Sequence, residues 1–395
     1  MSQTIEQAQQ HIAQTYTRPP FVISHGQGVH VWDESGKEYL DMIGGIAVMS
    51  LGHSDPQVTQ IIQENAGKLI HTSNLYYTAP QAALAQALCE KSFADRVFFT
   101  NSGTEANEAC IKFARKVAYA NGETERKEII AFSHAFHGRT MGSLALTPKP
   151  QYQDAFQPLM GNATILPVND IAAAEAAITE KTCAVFIEPI QGEGGVRPVD
   201  KAFMQRLRQL CDEKGALLVF DEVQCGLGRT GQLWAHSYYE VTPDLMSLAK
   251  PLAAGLPIGA VLMTEKVHSA LKPGDHGSTF AGGALTCTVA KHVLDRVSDP
   301  KFLAHVNEVS EYLIEKLEEI NAPQIMEIRG RGLMVGVELD FPAAEVVQAG
   351  YDEGLLLVNA GADTVRLLPP LILEKADVDV FIEKFTTILK NRKQN

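Results

Sequence analysis

Two charged residues, each at the end of a short apolar run, could act together on a carbonyl group. The run 244–249 ends at Lys250, and the run 216–220 ends at Asp221. A lysine at the edge of a buried sheet is desolvated, so its amine loses a proton easily and can condense with an aldehyde. A nearby carboxylate would hold a pyridinium nitrogen. The pair therefore predicts a charged heteroaromatic cofactor that carries an aldehyde, which is pyridoxal phosphate chemistry.

A helix start after the run 97–99 could bind a phosphate. Ser102 and Glu105 have the spacing of a capping box, and the residues beyond them place apolar side chains on one helix face, namely Ala106, Ala109, Cys110, Phe113 and Val117. Free N–H groups and a partial positive charge at such a start favour an anion. An ordinary capped helix is the alternative, and this segment alone favours that alternative.

Residues 133–140 follow the next apolar run and include Phe136 and Arg139. The aromatic ring could stack on a cofactor, and the guanidinium could bind a carboxylate through two hydrogen bonds. His134 and His137 suggest a metal, but no third ligand has suitable spacing and the HExxH motif is absent. We therefore predict no metal site.

Two glutamates follow the run 184–187. Glu188 comes directly after it, and Glu193 comes five residues later in a glycine-rich segment. Both could be solvated, or both could face the site. The sequence favours neither alternative.

Two motif matches lack their proper context. Residues 226–231 fit the dinucleotide pattern GxGxxG, but residues 221–225 separate them from the preceding run, and no clear amphipathic helix follows. Ser247 and Lys250 have serine–lysine acylase spacing without the partner motifs of that class. We assign neither match a function.

The elements that must position these residues alternate along the chain between about residues 90 and 265. Short runs that are apolar on both faces, separated by amphipathic stretches, occur at 97–99, 129–132, 184–187, 217–220, 245–248 and 260–263. This pattern predicts an α/β fold with a mostly parallel sheet covered by helices. Ligands bind at the carboxyl ends of such strands, so the residues after each run should converge.

Outside this region the pattern changes. Long helical stretches and apolar runs at 333–339 and 365–368 follow residue 284, and a hairpin is predicted around the turn 33–36. We predict a large domain over residues 50–285 and a smaller α+β domain built from residues 1–49 and 286–395.

Composition limits the function classes. The 395 residues are 45% hydrophobic and 21% charged, as in an ordinary globular enzyme, and the net charge of −13 disfavours nucleic acid and anionic membranes as partners. The first twenty residues lack the apolar core of a signal peptide, and no run has the length of a membrane span. The six cysteines form no Cys-x-x-Cys pair, which favours reduced thiols and a cytoplasmic location.

Six segments together resemble the class III pyridoxal-phosphate aminotransferases. These are residues 101–107, 136–140, 187–195, 220–224, 226–231 and 248–250, and the resemblance extends from about Val29 to Pro370. Residues 44–48, 50–53 and 71–77 are most similar to the acetylornithine aminotransferases within this class.

The resemblance implies a fold-type-I homodimer with pyridoxal 5'-phosphate as its cofactor. It implies that Lys250 holds the cofactor aldehyde and later carries a proton, and that Asp221 pairs with the pyridinium nitrogen. The other cofactor-binding residues that it implies are Ser102, Gly103 and Thr104 at the phosphate, Phe136 and Val223 on either side of the ring, Gln224 near the ring hydroxyl, His137, and Ser278 and Thr279, with Thr279 reaching across from the other subunit.

The resemblance also implies how substrates are held. Arg139 binds the carboxylate distant from the reacting carbon, Arg366 binds the α-carboxylate of glutamate or 2-oxoglutarate, and Glu193 pairs with Arg366 when an ω-amino donor is bound. A salt bridge within the small domain is the alternative for Arg366. One departure from the family pattern is Pro251, which predicts extended backbone at Lys250.

The predicted reaction moves the terminal amino group of N-acetylornithine to 2-oxoglutarate, a step of arginine biosynthesis. Ornithine, 4-aminobutyrate, succinylornithine or an acylated lysine precursor could replace the donor within the same mechanism. An aminomutase or racemase, or a non-catalytic binding protein, would be a different class. Intact Lys250, Asp221 and Arg139 weigh against the binding protein.

Overall fold

The structure is a computed structural model that describes residues 2–392. The outer ends of the predicted small domain, Met1 and residues 393–395, lie outside the described residues. In the described part the sheets comprise one of seven strands, two of four strands and a two-stranded ribbon, Ile190–Gln191 with Arg197–Pro198.

The seven-stranded sheet confirms the predicted α/β class. Its strands lie in the order Arg96–Thr100, Gly259–Met263, Leu245–Leu248, Leu217–Asp221, Thr182–Ile187, Glu128–Phe132 and Ala163–Leu166. Gly259–Met263 is antiparallel to both neighbours, and the other six strands run in one direction. All six apolar runs lie in this sheet. Ala163–Leu166 was not predicted because it is a half-exposed edge strand without an apolar run.

Helices cover both faces of this sheet because alternate residues of each central strand point to opposite sides. Phe132, Val185 and Leu218 pack against Phe203 and Leu207 in one hydrophobic cluster. Their neighbours along the strands, including Ile129, Ala184 and Leu217, pack against Ala106 and Phe113 of the helix Gly103–Ala120 in another cluster. Burial on both faces explains why the strands are continuously apolar.

The α-helices of the described residues are Gln3–His11, Gly44–Ala47, Pro56–Ala66, Ala79–Glu90, Gly103–Ala120, Met141–Ala145, Pro150–Gln153, Ile171–Ala177, Lys201–Lys214, Glu265–His268, Ala284–Val297, Pro300–Glu319, Ala343–Asp352 and Lys375–Arg392. Short 3-10 helices occur at Ser73–Leu75, Asp154–Phe156, Ala235–Tyr239 and Lys250–Ala253. Among the helices described, none combines the length and the apolarity needed to cross a bilayer.

The two four-stranded sheets share one core. The first has the order Ile23–Gln27, His30–Asp33, Glu38–Asp41 and Leu355–Leu356, and its central pair confirms the predicted hairpin. The second is antiparallel, in the order Ile325–Arg331, Met334–Leu339, Thr364–Leu367 and Val358–Ala360. Leu40 and Met42 lie in the same cluster as Leu313 and Phe381.

The domain division at residue 285 stays a prediction. The helix Ala284–Val297, which we assigned to the small domain, buries Cys287 and Val293 in the same cluster as the strands of the large sheet. It contacts the helix Ala79–Glu90 more extensively than it contacts Pro300–Glu319.

Candidate active site

A cavity of about 360 Å³ lies at the carboxyl ends of the parallel strands. The residues after five different strands meet there because those strands run in one direction. The predicted site residues that line it are Ser102, Gly103, Thr104, Phe136, His137, Arg139, Asp221, Val223, Gln224 and Lys250, together with Glu188.

Asp221 is a fixed carboxylate in the wall of the cavity. It ends the strand Leu217–Asp221 and is 4% exposed. Its Oδ2 accepts hydrogen bonds from Asn107 Nδ2 at 2.7 Å and His137 Nδ1 at 2.8 Å, while Oδ1 accepts one from the Val223 N–H at 3.0 Å. A carboxylate oxygen has two lone pairs, so Oδ1 can accept a further N–H from a ring in the cavity.

His137 orients this carboxylate and is itself tuned by it. Burial lowers the pKa of the imidazole, but the hydrogen bond and charge of Asp221 outweigh burial, so the pKa is raised. Its backbone N–H donates to Thr147 Oγ1 at 2.9 Å. Nδ1 therefore carries a proton towards Asp221, and this hydrogen bond stabilises the ionised form of the carboxylate.

Asn107 is a contact that the sequence prediction did not assign. It lies on the buried face of the helix Gly103–Ala120 and also donates to the carbonyl of His137 at 2.7 Å. The signal was present: one amide among the apolar residues Ala106, Ala109 and Cys110. A buried amide needs partners, and here they are Asp221 and His137.

Lys250 enters the cavity directly after the strand Leu245–Leu248. Burial lowers the pKa of its amine, and the charge of Arg366 adds to this effect, while Glu193 opposes it. The lowered pKa raises the fraction of neutral amine, which is the nucleophilic form.

The predicted extended backbone at Lys250 is wrong. Its φ is +21°, and it begins the 3-10 helix Lys250–Ala253. The Leu252 N–H donates to the Ala249 carbonyl at 2.8 Å, which closes a tight turn at the edge of the sheet. This tertiary constraint outweighs the local preference that Pro251 imposes on the residue before it.

The helix Gly103–Ala120 has an ordinary N-terminal cap, and its first residues also line the cavity. The Glu105 N–H donates to Ser102 Oγ at 3.3 Å, and Glu105 Oε2 accepts from the Asn101 N–H at 2.8 Å. A Cβ on Gly103 would stand 2.7 Å from a methyl of Val223, so only glycine fits. The first N–H groups of a helix have no intrahelical acceptors, so the two alternatives are compatible. Phosphate binding stays a prediction.

Glu188 faces the cavity, which decides the question that the sequence left open for this residue. It is 5% exposed, and it accepts hydrogen bonds from the N–H groups of Phe136 at 3.0 Å and Gly192 at 3.3 Å. Burial raises its pKa to about 7, with His137 opposing the rise and Asp221 adding to it. Glu188 thus fixes the segment that carries Phe136 and the loop that carries Glu193.

Glu193 and Arg366 form an ion pair beside the cavity. Arg366 is 1% exposed, and its Nη1 donates to Glu193 Oε1 at 2.6 Å and to Gln224 Oε1 at 3.0 Å. Burial raises the pKa of Glu193, but the charge and hydrogen bond of Arg366 outweigh it, so the pKa is lowered. Glu193 lies in the glycine-rich loop that follows the strand Thr182–Ile187 of the large sheet. The ion pair is therefore not a salt bridge within the predicted small domain.

Arg139 lies at the mouth of the cavity and is exposed. Its guanidinium carbon stands 3.4 Å from the ring centroid of Tyr152. Tyr152 was not singled out from the sequence, because nothing in its local pattern separates it from a surface residue.

Ser278 and Thr279 do not line the cavity of their own chain. Ser278 Oγ accepts a hydrogen bond from Asn101 Nδ2 at 3.1 Å, and Thr279 is exposed. The segment that contains Thr279 is joined to residues 73–77, since Asn74 Nδ2 donates to the carbonyls of Ser278 and Ala281, both at 3.0 Å.

These two segments and the preceding Ile70 expose apolar side chains, which we call the Tyr77 patch. It consists of Ile70, Leu75, Tyr76, Tyr77 and Phe280, whose exposed fractions are 61%, 84%, 70%, 104% and 70%. So large an exposed apolar surface is typical of a protein–protein interface.

The cavity fits pyridoxal phosphate on features of this structure. Asp221 Oδ1 can accept a ring N–H, the amine of Lys250 lies in the same cavity, and the start of the helix Gly103–Ala120 suits an anion. Phe136 and Val223 are in its wall, where they could contact a planar ring. Within residues 2–392 no group of three or more His, Cys, Asp or Glu side chains could hold a metal.

Comparison with known proteins agrees with this fit. The sequence profile of the family described as aminotransferase class-III matches residues 11–389. The chain is 51% identical to the mitochondrial acetylornithine aminotransferase of Alnus glutinosa, over 95% of this chain and 85% of that protein. It is 46% identical to a succinylornithine transaminase of Yersinia pseudotuberculosis, over 93% of this chain and 92% of the relative.

Among solved structures, the chain is similar to an ornithine aminotransferase of Toxoplasma gondii whose active site holds PLP at partial occupancy. The TM-score is 0.94 at 33% identity, and the match covers 99% of this chain and 95% of the other.

Proposed function

The chain belongs to the class-III aminotransferase family, and we propose that it moves the terminal amino group of N-acetylornithine to 2-oxoglutarate with pyridoxal phosphate as cofactor. The observation that carries this proposal is the joint placement of Lys250 and Asp221 in one cavity, with the Arg366–Glu193 ion pair beside it. The name of the relative that is 51% identical supports the choice of donor.

When bound, pyridoxal phosphate supplies an aldehyde that exchanges with the substrate amine and a ring that withdraws electrons from the reacting carbon. Lys250 would hold the aldehyde, and Asp221 would hold the ring nitrogen in its protonated form. Ser102, Gly103 and Thr104 would hold the phosphate. Fixed by Asn107 and His137, the carboxylate of Asp221 needs no rearrangement to accept the ring N–H.

Lys250 would also move the proton. Once the substrate amine had taken its place, Nζ would be free in the cavity, and its lowered pKa favours the neutral amine, which can act as a base. Nζ would accept a proton from the substrate carbon that bears the amino group and would then donate this proton on the cofactor side. One residue thus serves as attachment point and as general acid–base, which keeps the proton out of contact with bulk water.

The two arginines account for two substrates with different charges. N-acetylornithine has a carboxylate only at the end distant from the reacting carbon, where Arg139 lies at the cavity mouth. 2-Oxoglutarate has a second carboxylate beside its carbonyl, and Arg366 would bind it once Glu193 moves away. With the amine donor, Glu193 stays on Arg366 and keeps the buried guanidinium paired.

The choice of donor depends on the mouth of the cavity. Arg139 and Tyr152 lie there, where the acyl group of a donor would extend. The similarity to a succinylornithine transaminase and to an ornithine aminotransferase makes succinylornithine and ornithine the main competing donors.

A homodimer would complete the site. Thr279 is exposed and lies outside its own cavity, in the segment next to the Tyr77 patch. Covering this apolar patch with a second copy would bring Thr279 to the phosphate end of the partner's cavity.

Single-turnover half-reactions test the proposed function. The holoenzyme is mixed with N-acetylornithine, succinylornithine, ornithine and 4-aminobutyrate in turn, and the loss of the cofactor absorbance is followed. We expect the highest kmax/Kd for N-acetylornithine. Lys250→Ala should not transfer the amino group, although its free cofactor aldehyde can still condense with the donor. Without 2-oxoglutarate an aminotransferase stops after one turnover, whereas an aminomutase continues. Preference for another donor, or continued turnover, contradicts the proposal.

A further inference from the structure

The glycine-rich loop 226–231 does not line the cavity, although it matches a nucleotide-binding pattern. Gly231 of this loop packs closely against the C-terminal part of the chain, and Gly332 of that part packs closely against the loop. A Cβ on Gly231 would stand 1.8 Å from Asn307 Oδ1, and one on Gly332 would stand 2.5 Å from the carbonyl oxygen of Arg229. The motif therefore serves contact between protein segments.

Arg229 lies at the centre of this contact and is 1% exposed. Its Nη1 donates to the carbonyls of Leu333 at 2.9 Å and Pro369 at 2.6 Å, and the Leu333 N–H donates back to the Arg229 carbonyl at 3.0 Å. Nε and Nη2 have no partner among residues 2–392. Burial lowers its pKa to about 9. A buried guanidinium without a carboxylate partner is costly, so packing alone does not explain it.

The contacts of Arg229 join the loop 224–231 to the segment that carries Arg366. Gln224 and Arg229 lie in one loop, and Pro369 lies three residues after Arg366. Because Arg366 Nη1 donates to Gln224 Oε1 at 3.0 Å, the two segments are joined at both ends. We call this closed set of links the Arg229 circuit.

We propose that Arg229 is a positioning residue that holds Arg366 beside Gln224 and Glu193, and so sets the affinity for the carboxylate next to the reacting carbon. This inference rests on the function proposed above for Arg366. It assigns a role to a motif that the reaction itself does not use.

Loss of the hydrogen bonds of Arg229 should weaken the binding of glutamate and not that of N-acetylornithine. Without the hydrogen bond from Arg229 to Pro369, the segment after Arg366 is still tied by the Leu368 N–H to Met42 and by the Leu371 N–H to Ser50, both at 2.8 Å. The strand therefore stays in place, but the loop that carries Gln224 loses its anchor, so Gln224 no longer holds the guanidinium of Arg366 in a fixed orientation. Paired binding of a carboxylate tolerates a change in this orientation poorly. N-acetylornithine, which leaves Arg366 on Glu193, should be little affected.

The test uses holoenzyme variants in single-turnover half-reactions with glutamate and with N-acetylornithine. Arg229→Met should raise the Kd for glutamate about 10-fold and change the Kd for N-acetylornithine by less than about threefold. Arg229→Lys should fall between Arg229→Met and the wild type, because its ammonium can still donate to both carbonyls. If Arg229→Met does not fold, Arg229→Lys carries the comparison.

Asn307→Ala is the matched control. It removes the other anchor of the loop, the hydrogen bond from Asn307 Nδ2 to the Gly231 carbonyl at 3.1 Å. It should lower Tm without changing the ratio of the two Kd values. An equal loss for both substrates in the Arg229 variants, or the same change of ratio in Asn307→Ala, overturns the inference.

Arg366→Gln separates this inference from the proposed function. In that background Arg229→Lys should cause no further loss for glutamate. If Arg366→Gln alone leaves glutamate binding unchanged, the proposed role of Arg366 fails and the inference falls with it. If Arg366→Gln weakens binding but the Arg229 variants do not, only the inference fails.

Discussion

At the scale of single residues, the site is a set of charges that hold one another in place. Asp221 is held by Asn107 and His137, and Arg366 is held by Glu193 and Gln224. Groups that are already paired and desolvated need little reorganisation when a ligand arrives. This arrangement supports the proposal that one small cavity binds two substrates of different charge.

Glu193→Gln tests whether the ion pair controls substrate choice. The neutral amide pairs weakly with Arg366, so the buried guanidinium loses its partner when an amine donor is bound. We expect kmax/Kd for N-acetylornithine to fall about 10-fold and the glutamate half-reaction to be kept or to become faster. Stopped-flow absorbance measures both. Glu327→Gln, at an exposed glutamate that pairs with Arg329, is the control and should change neither rate. An unchanged ratio in Glu193→Gln would reject the switch.

The raised pKa of Glu188 predicts that the stability of the folded chain depends on pH. Its pKa is about 7 in the folded chain and 4.5 for an ordinary glutamate, so the folded state binds the proton more tightly. The stabilisation is complete below pH 4.5 and is lost as the pH rises through about 7.

Glu188→Gln removes this titration. We therefore expect the apo wild type to gain Tm relative to Glu188→Gln when the pH falls from 8 to 5. Thermal unfolding of both proteins across this range measures the gain. Parallel curves for the two proteins would show that Glu188 has an ordinary pKa when folded.

At the scale of elements, the helix Gly103–Ala120 serves two purposes. Its buried face completes the core on one side of the large sheet, and its start lies in the cavity wall. Val223, from the segment after Asp221, packs directly against Gly103. The position of the helix start is therefore coupled to the residue predicted to contact the cofactor ring.

Gly103→Ala tests this close approach. Its Cβ would meet Val223 at 2.7 Å, so the helix start or Val223 must move. We expect a loss of about 2 kcal/mol in stability and weaker retention of pyridoxal phosphate. Gly67→Ala is the control, because no atom lies within 4 Å of the added Cβ. Denaturant unfolding and dialysis of the cofactor measure both effects. Equal behaviour of the two variants would contradict the coupling.

At the scale of the whole molecule, the site joins parts of the chain that are distant in sequence. Asp221 and Lys250 lie at the ends of strands of the seven-stranded sheet, while Arg366 lies in the strand Thr364–Leu367 of the antiparallel four-stranded sheet. Small relative movements of these sheets would alter the distance between Arg366 and the cofactor site. The proposed second subunit would add Thr279 as a further contribution.

Thr279→Ala tests the contribution of a partner subunit. Loss of one hydroxyl at the phosphate should weaken cofactor binding about 10-fold and leave folding unchanged. Equilibrium dialysis measures the Kd, and sedimentation measures the oligomeric state. Thr124→Ala, at another exposed threonine, should bind the cofactor as the wild type does. Normal retention in Thr279→Ala, or a monomeric wild type with full affinity, would refute the crossing role.

The sequence by itself determined six of the seven strands of the large sheet and the edge at which the site lies. Its six apolar runs are continuous because the strands are buried on both faces, and the parallel arrangement of five of these strands brings their carboxyl ends together. Lys250, Asp221 and Phe136 could therefore be assigned to one cavity without coordinates. These signals are local, and each depends on a few consecutive residues.

Only the tertiary structure decided which partners these residues have. Asn107 binds Asp221 across 114 positions of the chain, and Arg229 binds Pro369 across 140. The local sequence identifies neither partner, because hydrogen-bond partners depend on how helices and sheets pack. The backbone of Lys250 illustrates the same point: the neighbouring proline favours an extended conformation, and the turn at the sheet edge imposes φ of +21°. Local preferences are small compared with the free energy of packing, so packing decides where the two conflict.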